Sequence, residues 1–548
     1  MSTRALVLGF DGADLELIFA LGARRLPNLF ALMERGVFAH QESVQPPATL
    51  PNWTTFLTGV DPGAHGVFDF TTRHGYGVKF SAGTVREAPT FLARLDRLGL
   101  ACCAVGFPAT WPPERLQHGY FVSGWDAPVS FEADRSFVWP PSLYDTLTRR
   151  FGPLRFDEVD QFRADEPGWH ARLGGKLADK VVRRAELASF LLASRRWDVF
   201  AFYFGESDTA SHYLWSLYDE GSPRRPANVS ADEARGLPRV YEALDHALGL
   251  LLEQAPDAQI TIVSDHGSGG SSDKVLYLNR ALAEADLLAF KGTPKFSTKA
   301  KQLGLRISPK LRDRLFRFQG ALLPSLLESR ARFGAIDFPR TLAFSDELNY
   351  FPAVHLNQRG REPHGAFDPK ERARIKRRVI DALERLKDPL NDKPVVAKVY
   401  EREALFRGPF VERAPDLLLE LRLDRGYSYN LMPSGGTLGA VMERLAPADY
   451  LGKKGRSLPG SHRPRGLFVA AGPELRVRGQ RELDIGQASA LVLARLGIAP
   501  PANARGTVPE GWIAEPFERT LPEAPAPASA RGERGALERR LRALGYID

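Results

Sequence analysis

Three apolar runs in this chain of 548 residues each break off at an aspartate. "RALVLGFDG" delivers Asp11, "WDVFAFYFGESD" delivers Asp208, and "AQITIVSDHG" delivers Asp265 with His266 behind it. Runs that are apolar throughout, without polar alternation, predict strands buried on both faces, as in a parallel sheet. Helical stretches separate them: "LPNLFALMERG" with Pro near its start and Gly36 past its end, then "TFLARLDRLG", the long run "LGGKLADKVVRRAELASFLLASRR", and "RVYEALDHALGLLLEQA". Strand and helix alternate, which predicts an α/β fold: a large, mostly parallel sheet flanked by helices on both faces. Ligands of such sheets bind beyond the carboxyl ends of the strands, where all three aspartates fall.

The length exceeds one ordinary core and calls for an insertion or a second unit. The α/β pattern covers residues 1–290 and 366–513 and breaks over 291–365, which reads as an inserted basic subdomain or lid. Its first part, 291–332, is basic and partly amphipathic, suited to an anionic substrate, a membrane surface or a partner helix. Residues 514–548 read as a Pro/Ala-rich linker and a short amphipathic helix, apolar at Leu537, Leu541, Leu544 and Tyr546. That helix could dock on the body or on a second subunit. A net charge of +8 is moderate for this length and points to a small anionic substrate rather than to specific nucleic-acid binding. The two cysteines, Cys102 and Cys103, are adjacent in an apolar run, so they cannot staple distant segments and read as buried strand residues. With no signal-type apolar segment and no run of bilayer-spanning length, the expected location is cytoplasmic.

Chemistry enters at "PPATLPNWTTF", residues 46–56. A helix is expected over 51–57, opened by Pro51 and stopped near Gly59, with Thr49 just ahead of it and Asn52 behind. Thr49 is either a helix cap or a nucleophile, and a threonine hydroxyl attacks only when a base or a metal activates it. Metal-ligand spacing is present elsewhere. "SDTASHYLW" sets Asp208 and His212 four apart, on one helical face. "VSDHGSGG" offers Asp265 and His266 on what reads as a glycine-rich turn, and "GSHRPRG" presents His462 in a loop before a buried strand. Asp11 completes the set. The chain has only 11 histidines, yet three of them sit beside strand ends or glycines. Six nitrogen and oxygen ligands suit two borderline ions, Zn²⁺ or Mn²⁺, better than Ca²⁺.

The order Asp-Gly, Thr with Pro-Asn, Asp-x-x-x-His, Asp-His-Gly and a late His resembles the alkaline phosphatase superfamily, type I phosphodiesterase/nucleotide pyrophosphatase branch. "DGADLEL", "LPNLFALMERGVFA", "PPATLPNWTTFLTGVDPGAHGVFDF", "SDTASHYLW" and "VSDHGSGG" carry the likeness. "VGFPATWPPE", "VSGWDAP" and "LNQRGREPHG" are similar to the superfamily's predicted phosphohydrolase/phosphomutase group. The resemblance implies an alkaline phosphatase-like core and two divalent metals, Zn²⁺ first and Mn²⁺ second. Asp208, His212 and His462 would hold one; Asp11, Asp265 and His266, with Thr49, the other. Thr49 would be the nucleophile, passing through a phosphothreonine, and Asn52 would hydrogen-bond a phosphoryl oxygen. His65 belongs to the motif too and reads as structural.

Departures narrow the activity. "TLPN" lacks the Arg of sulfatases, and no Arg stands beside Thr49 as in classical alkaline phosphatases. Phosphoglycerate mutases of the superfamily carry Ser where this chain has Thr49. The expected activity is therefore cleavage of a phosphodiester, pyrophosphate or related phosphoester. The alternatives are a phosphomutase or phosphomonoesterase, or a phospho-group transferase acting on lipid or envelope substrates.

Overall fold

The structure, a computed structural model, describes residues 3–80, 83–124, 133–154, 164, 166–292, 329–330, 332–347, 352–436, 439–452, 457–513, 517 and 519–522. Most of the basic stretch 291–332 and of the C-terminal segment 514–548 lies outside the described residues.

Nine strands form the main sheet: β1 (Ala5–Phe10), β2 (Val37–Glu42), β3 (Cys102–Val105), β4 (Tyr120–Val122), β5 (Val138–Trp139), β6 (Val199–Phe204), β7 (Gln259–Val263), β8 (Arg465–Ala471) and β9 (Gly479–Asp484). Their order is β9-β2-β8-β7-β1-β6-β3-β4-β5. The pairs β7-β1, β1-β6, β6-β3 and β3-β4 are parallel, whereas β8 runs antiparallel to both its neighbours. The expected mostly parallel α/β sheet is present, with Cys102 and Cys103 buried and free in β3.

The uniformly apolar strand sequences follow from burial on two faces. Leu6, Leu8 and Phe10 of β1 enter one core, under the helices Trp169–Ala193, Glu206–Tyr218 and Gly236–Gln254. Ala5 and Val7 enter the other, under the helices Thr49–Thr58, Phe91–Arg97 and Ile485–Arg495. In β6 the same alternation sends Phe200, Phe202 and Phe204 one way and Val199, Ala201 and Tyr203 the other. Burying each aromatic ring is worth about 2–3 kcal/mol as an upper estimate.

Two expectations about loops are corrected. The glycine-rich turn after His266 is a ten-residue strand, Gly267–Leu276, buried along its whole length. It pairs with Gly460–Arg463, which makes His462 a strand residue instead of a loop residue. The glycines mark close approach: a Cβ on Gly267 would lie 2.0 Å from the carbonyl oxygen of Arg465. The boundary expected at residue 365 also falls inside a single element. A four-stranded antiparallel sheet takes Ala343–Phe344 and Ala353–Leu356 from before it and Val396–Glu401 and Leu417–Leu421 from after it. The helix Arg372–Glu384 covers this sheet through Ile375, Val379 and Leu383.

Candidate active site

The carboxyl ends of β1, β6 and β7 converge, and the late strand Gly460–Arg463 is laid beside them. Asp11 follows β1, Asp208 lies in the first turn of the helix after β6, and Asp265 and His266 follow β7. His212 is one turn beyond Asp208, and its Nε2 is 3.3 Å from Asp208 Oδ1. His462 Nε2 is 3.4 Å from the same oxygen and 2.9 Å from His212 Nε2. A second group adjoins the first, since the rings of His266 and His462 stack with centroids 3.6 Å apart. His266 Nε2 lies 3.1 Å from Asp265 Oδ2, 3.6 Å from Asp11 Oδ1 and 3.3 Å from Thr49 Oγ1. The structure thus gathers Asp11, Thr49, Asp208, His212, Asp265, His266 and His462 into one cluster. Asp208 is within reach of both groups, because its ligand atom also lies within 4.8 Å of those of Asp11 and His266.

Each imidazole is oriented by backbone. Nδ1 of His212 donates to Gly460 O (3.0 Å), Nδ1 of His266 to Gly267 O (3.0 Å) and Nδ1 of His462 to Pro47 O (2.9 Å). A carbonyl can only accept, so each Nδ1 carries a proton and each Nε2 faces the cluster. Asp11 Oδ1, Asp208 Oδ1 and Asp265 Oδ2 are buried and have no hydrogen-bond partner. Imidazole Nε2 atoms gathered with buried carboxylate oxygens form the donor set that divalent cations take, so the residues present fit metal binding.

The electrostatics of the protein alone carry the same message. Burial, reinforced by the charge of Asp208, pushes the Asp11 carboxyl up to about 7. Burial and the charge of Asp11 hold Asp265 well above the carboxylate range. Burial opposes ionisation of Asp208 too, but His212 and His462 overcome it and keep Asp208 below that range. Burial and the neighbouring His462 hold His266 well below the imidazole range. Three carboxylates this close cannot all ionise without added positive charge.

The helix carrying Thr49 starts earlier than expected. It spans Thr49–Thr58 with Ala48 as its N-cap, so Thr49 is the first helical residue and Pro51 the third, and no side chain caps the end. Asn52 is corrected as well. Its amide nitrogen donates to Ala48 O (2.8 Å) and Pro46 O (3.1 Å), and its oxygen accepts from Val44 N (2.7 Å). The side chain is fully buried and spent on the backbone, leaving nothing for a phosphoryl oxygen. Asn52 instead braces residues 44–48, and Pro47 of that loop supplies the carbonyl that orients His462. His65 is buried, accepts from Val67 N at 3.2 Å and faces Thr55 Oγ1 at 3.0 Å. Burial pushes its pKa down to about 3, so it is a neutral structural imidazole that gives Thr55 a partner.

Two residues of the site carry no signal in the motifs. The hydroxyl of Tyr203 and Nε1 of Trp53 (3.0 Å) both donate to Asp11 Oδ2, which aims Oδ1 at the cluster. Trp53 stands edge-on to Phe56, Phe107 and Tyr203, with centroids 5.3–6.0 Å apart, and this aromatic core ties the Thr49 helix to β6. Tyr203 lies in the middle of an apolar strand, where only the alternation of faces distinguishes it.

A mostly parallel sheet with such a cluster at its carboxyl end is the arrangement of the alkaline phosphatase superfamily, here a hydrolase of phosphoric esters. Within it, the chain belongs to the type I phosphodiesterase / nucleotide pyrophosphatase family, whose model matches residues 5–441. No curated protein matches the chain. Among solved structures it is similar to murine ectonucleotide pyrophosphatase / phosphodiesterase 5. That match has 13% identity and a TM-score of 0.45, over 91% of this chain and 96% of the other. An inactive form of the murine protein in complex with AMP gives the same figures. The human counterpart matches at 14% identity and a TM-score of 0.45, over 90% of this chain and 95% of the other. Among the described residues, no helix is long and apolar enough to cross a membrane.

Proposed function

We propose that the protein is a two-metal phosphohydrolase that cleaves a phosphodiester or pyrophosphate bond through a phosphothreonine on Thr49. The observation that carries this reading is the position of Thr49 Oγ1, 3.3 Å from His266 Nε2 at an uncapped helix N-terminus, beside three unpartnered carboxylate oxygens. Asp208, His212 and His462 would hold one divalent ion, and Asp11, Asp265 and His266 with Thr49 the other. Zn²⁺ is the first candidate and Mn²⁺ the second. When bound, such ions supply Lewis-acid charge that lowers the pKa of a nearby hydroxyl and stabilises the departing oxygen.

The chain's own groups do the rest. Thr49 gives up its hydroxyl proton to water as Oγ1 bonds to phosphorus. The bond from phosphorus to the leaving oxygen breaks on the opposite side, and that oxygen takes a proton from water. A water oxygen then displaces Thr49 Oγ1 from phosphorus, and Oγ1 regains its proton. The backbone N–H groups of Thr49 and Leu50, at the positive end of the helix dipole, hold a phosphoryl oxygen in the role first given to Asn52. Trp53 and Tyr203 keep Asp11 oriented throughout.

The test is hydrolysis of bis-p-nitrophenyl phosphate against p-nitrophenyl phosphate by protein loaded with Zn²⁺ or Mn²⁺. Faster cleavage of the diester is expected. A preference for the monoester would move the assignment to phosphomonoesterase, and inactivity on both by metal-loaded protein would sink the proposal.

A further inference from the structure

Arg224 lies outside the motifs, in the segment after the helix that carries Asp208 and His212, and is fully buried. Its guanidinium makes five hydrogen bonds, all to residues 449–450 and 457–458. Nε donates to Tyr450 O (2.8 Å). One terminal nitrogen donates to Ser457 Oγ (2.8 Å) and Leu458 O (2.6 Å), the other to Asp449 O (3.3 Å) and Ser457 O (3.1 Å). Four partners are carbonyls and one is a hydroxyl; none is a carboxylate. Burying a guanidinium on neutral acceptors alone is costly unless the geometry satisfies every donor. Here that geometry ties Asp449 and Tyr450 to Ser457 and Leu458 at a single point. Asn430 adds a second tie from the other side, donating to Ser457 Oγ (2.8 Å) and Leu458 O (2.9 Å).

The segment that leaves this clamp enters the site at once. Two residues past Leu458, Gly460 packs against the helix of Asp208 and His212 so closely that a Cβ there would lie 2.0 Å from Ser211 O. Its carbonyl receives Nδ1 of His212. Two residues further on is His462. One buried cation therefore fixes the segment that orients one imidazole and carries another. The Asp11–Asp265–His266 group is held by different partners: Gly12 N on Asp265 Oδ1, Ser43 Oγ on Asp265 O, and Tyr203 and Trp53 on Asp11.

We propose that Arg224 is a positioning residue for the Asp208–His212–His462 group alone, acting through Ser457 and Leu458. The proposal rests on the two-metal reading above. It is tested by Co²⁺ titration of the full chain, followed by visible absorption and by metal content after desalting. Wild type should bind two ions. R224M should bind one ion as wild type does and the other at least tenfold more weakly, with R224K between them. Wild-type affinity at both sites in R224M, or equal weakening of both, would overturn the inference. A second measurement needs no metal: amide exchange in R224M should rise at least tenfold over 457–463 and stay unchanged over 5–11 and 259–266. Unchanged exchange over 457–463 overturns the inference even if wild type binds no ion, a result that would instead sink the two-metal reading. If R224M does not fold, Ser457→Ala removes one acceptor shared by Arg224 and Asn430. It should show the same selective weakening, and equal affinity at both sites counts against the proposal.

Discussion

His212 and His462, 250 positions apart in the chain, face each other through their Nε2 atoms at 2.9 Å. Because each Nδ1–H is committed to a backbone carbonyl, both Nε2 atoms are directed at one point beside Asp208. A divalent cation bound at that point would be shared by both imidazoles. The first prediction follows. Zn²⁺ or Mn²⁺ should stabilise the protein against heat, and a chelator should reverse the gain. At a thousandfold excess over Kd the stabilisation is about 4 kcal/mol. Differential scanning calorimetry with and without metal measures it. His462→Ala should shrink the effect, and an unchanged melting temperature on adding metal to wild type would count against a metal site.

Metal binding should also release protons. Asp11 is raised from the ordinary 3.8 to about 7 by burial and by Asp208. A carboxyl whose folded pKa is raised is protonated below that value, and a ligand must be ionised. Binding at pH 6 therefore expels a proton that binding at pH 8 does not. The linked stability has the same sign: the metal-free fold loses this contribution as pH rises from about 4 towards about 7, and bound metal restores it. Calorimetric titrations at pH 6 in two buffers of different ionisation enthalpy should give different apparent enthalpies, and the difference should fade at pH 8. Identical values at pH 6 would refute the prediction.

Thr49→Ala should leave fold and metal content intact and lower turnover by more than about 10³-fold. Thr49→Ser keeps a hydroxyl and should retain measurable activity. Trapping of a phosphorylated peptide containing residue 49 after acid quench separates a nucleophile from a residue that only shapes the helix. Full activity of the alanine variant would remove Thr49 from the mechanism.

Asn52→Ala should act on stability before chemistry. It strips the partner from buried Val44 N and one of the donors from Pro46 O and Ala48 O, each of which keeps a backbone donor. Leaving Val44 N unsatisfied costs about 1–3 kcal/mol, measurable by urea unfolding. Because Asn52 reaches the site through Pro47 and His462, the folded fraction should show weakened metal affinity with KM little changed. A rise in KM with metal affinity intact would restore Asn52 as a substrate contact.

What the chain's order of residues determined is the part of the protein encoded locally. Uniformly apolar runs such as "VFAFYF" could only be strands covered on both sides, so Asp11, Asp208 and Asp265 had to emerge at carboxyl ends of one sheet. The i, i+4 spacing likewise put Asp208 and His212 on one helical face. Tertiary structure decided the rest, because it depends on which distant segments touch. The stretch "GSGGSSDKVL" has the composition of a turn, and only its pairing with Gly460–Arg463 makes it a strand and brings His462 to the cluster. The resemblance implied a substrate contact for Asn52, but a side chain's hydrogen-bonding capacity can be spent once, and packing spent it on Val44, Pro46 and Ala48. Tyr203 and Arg224 stand in no motif. They matter because burial leaves each of them a single set of partners, and those partners are chosen by the folded backbone.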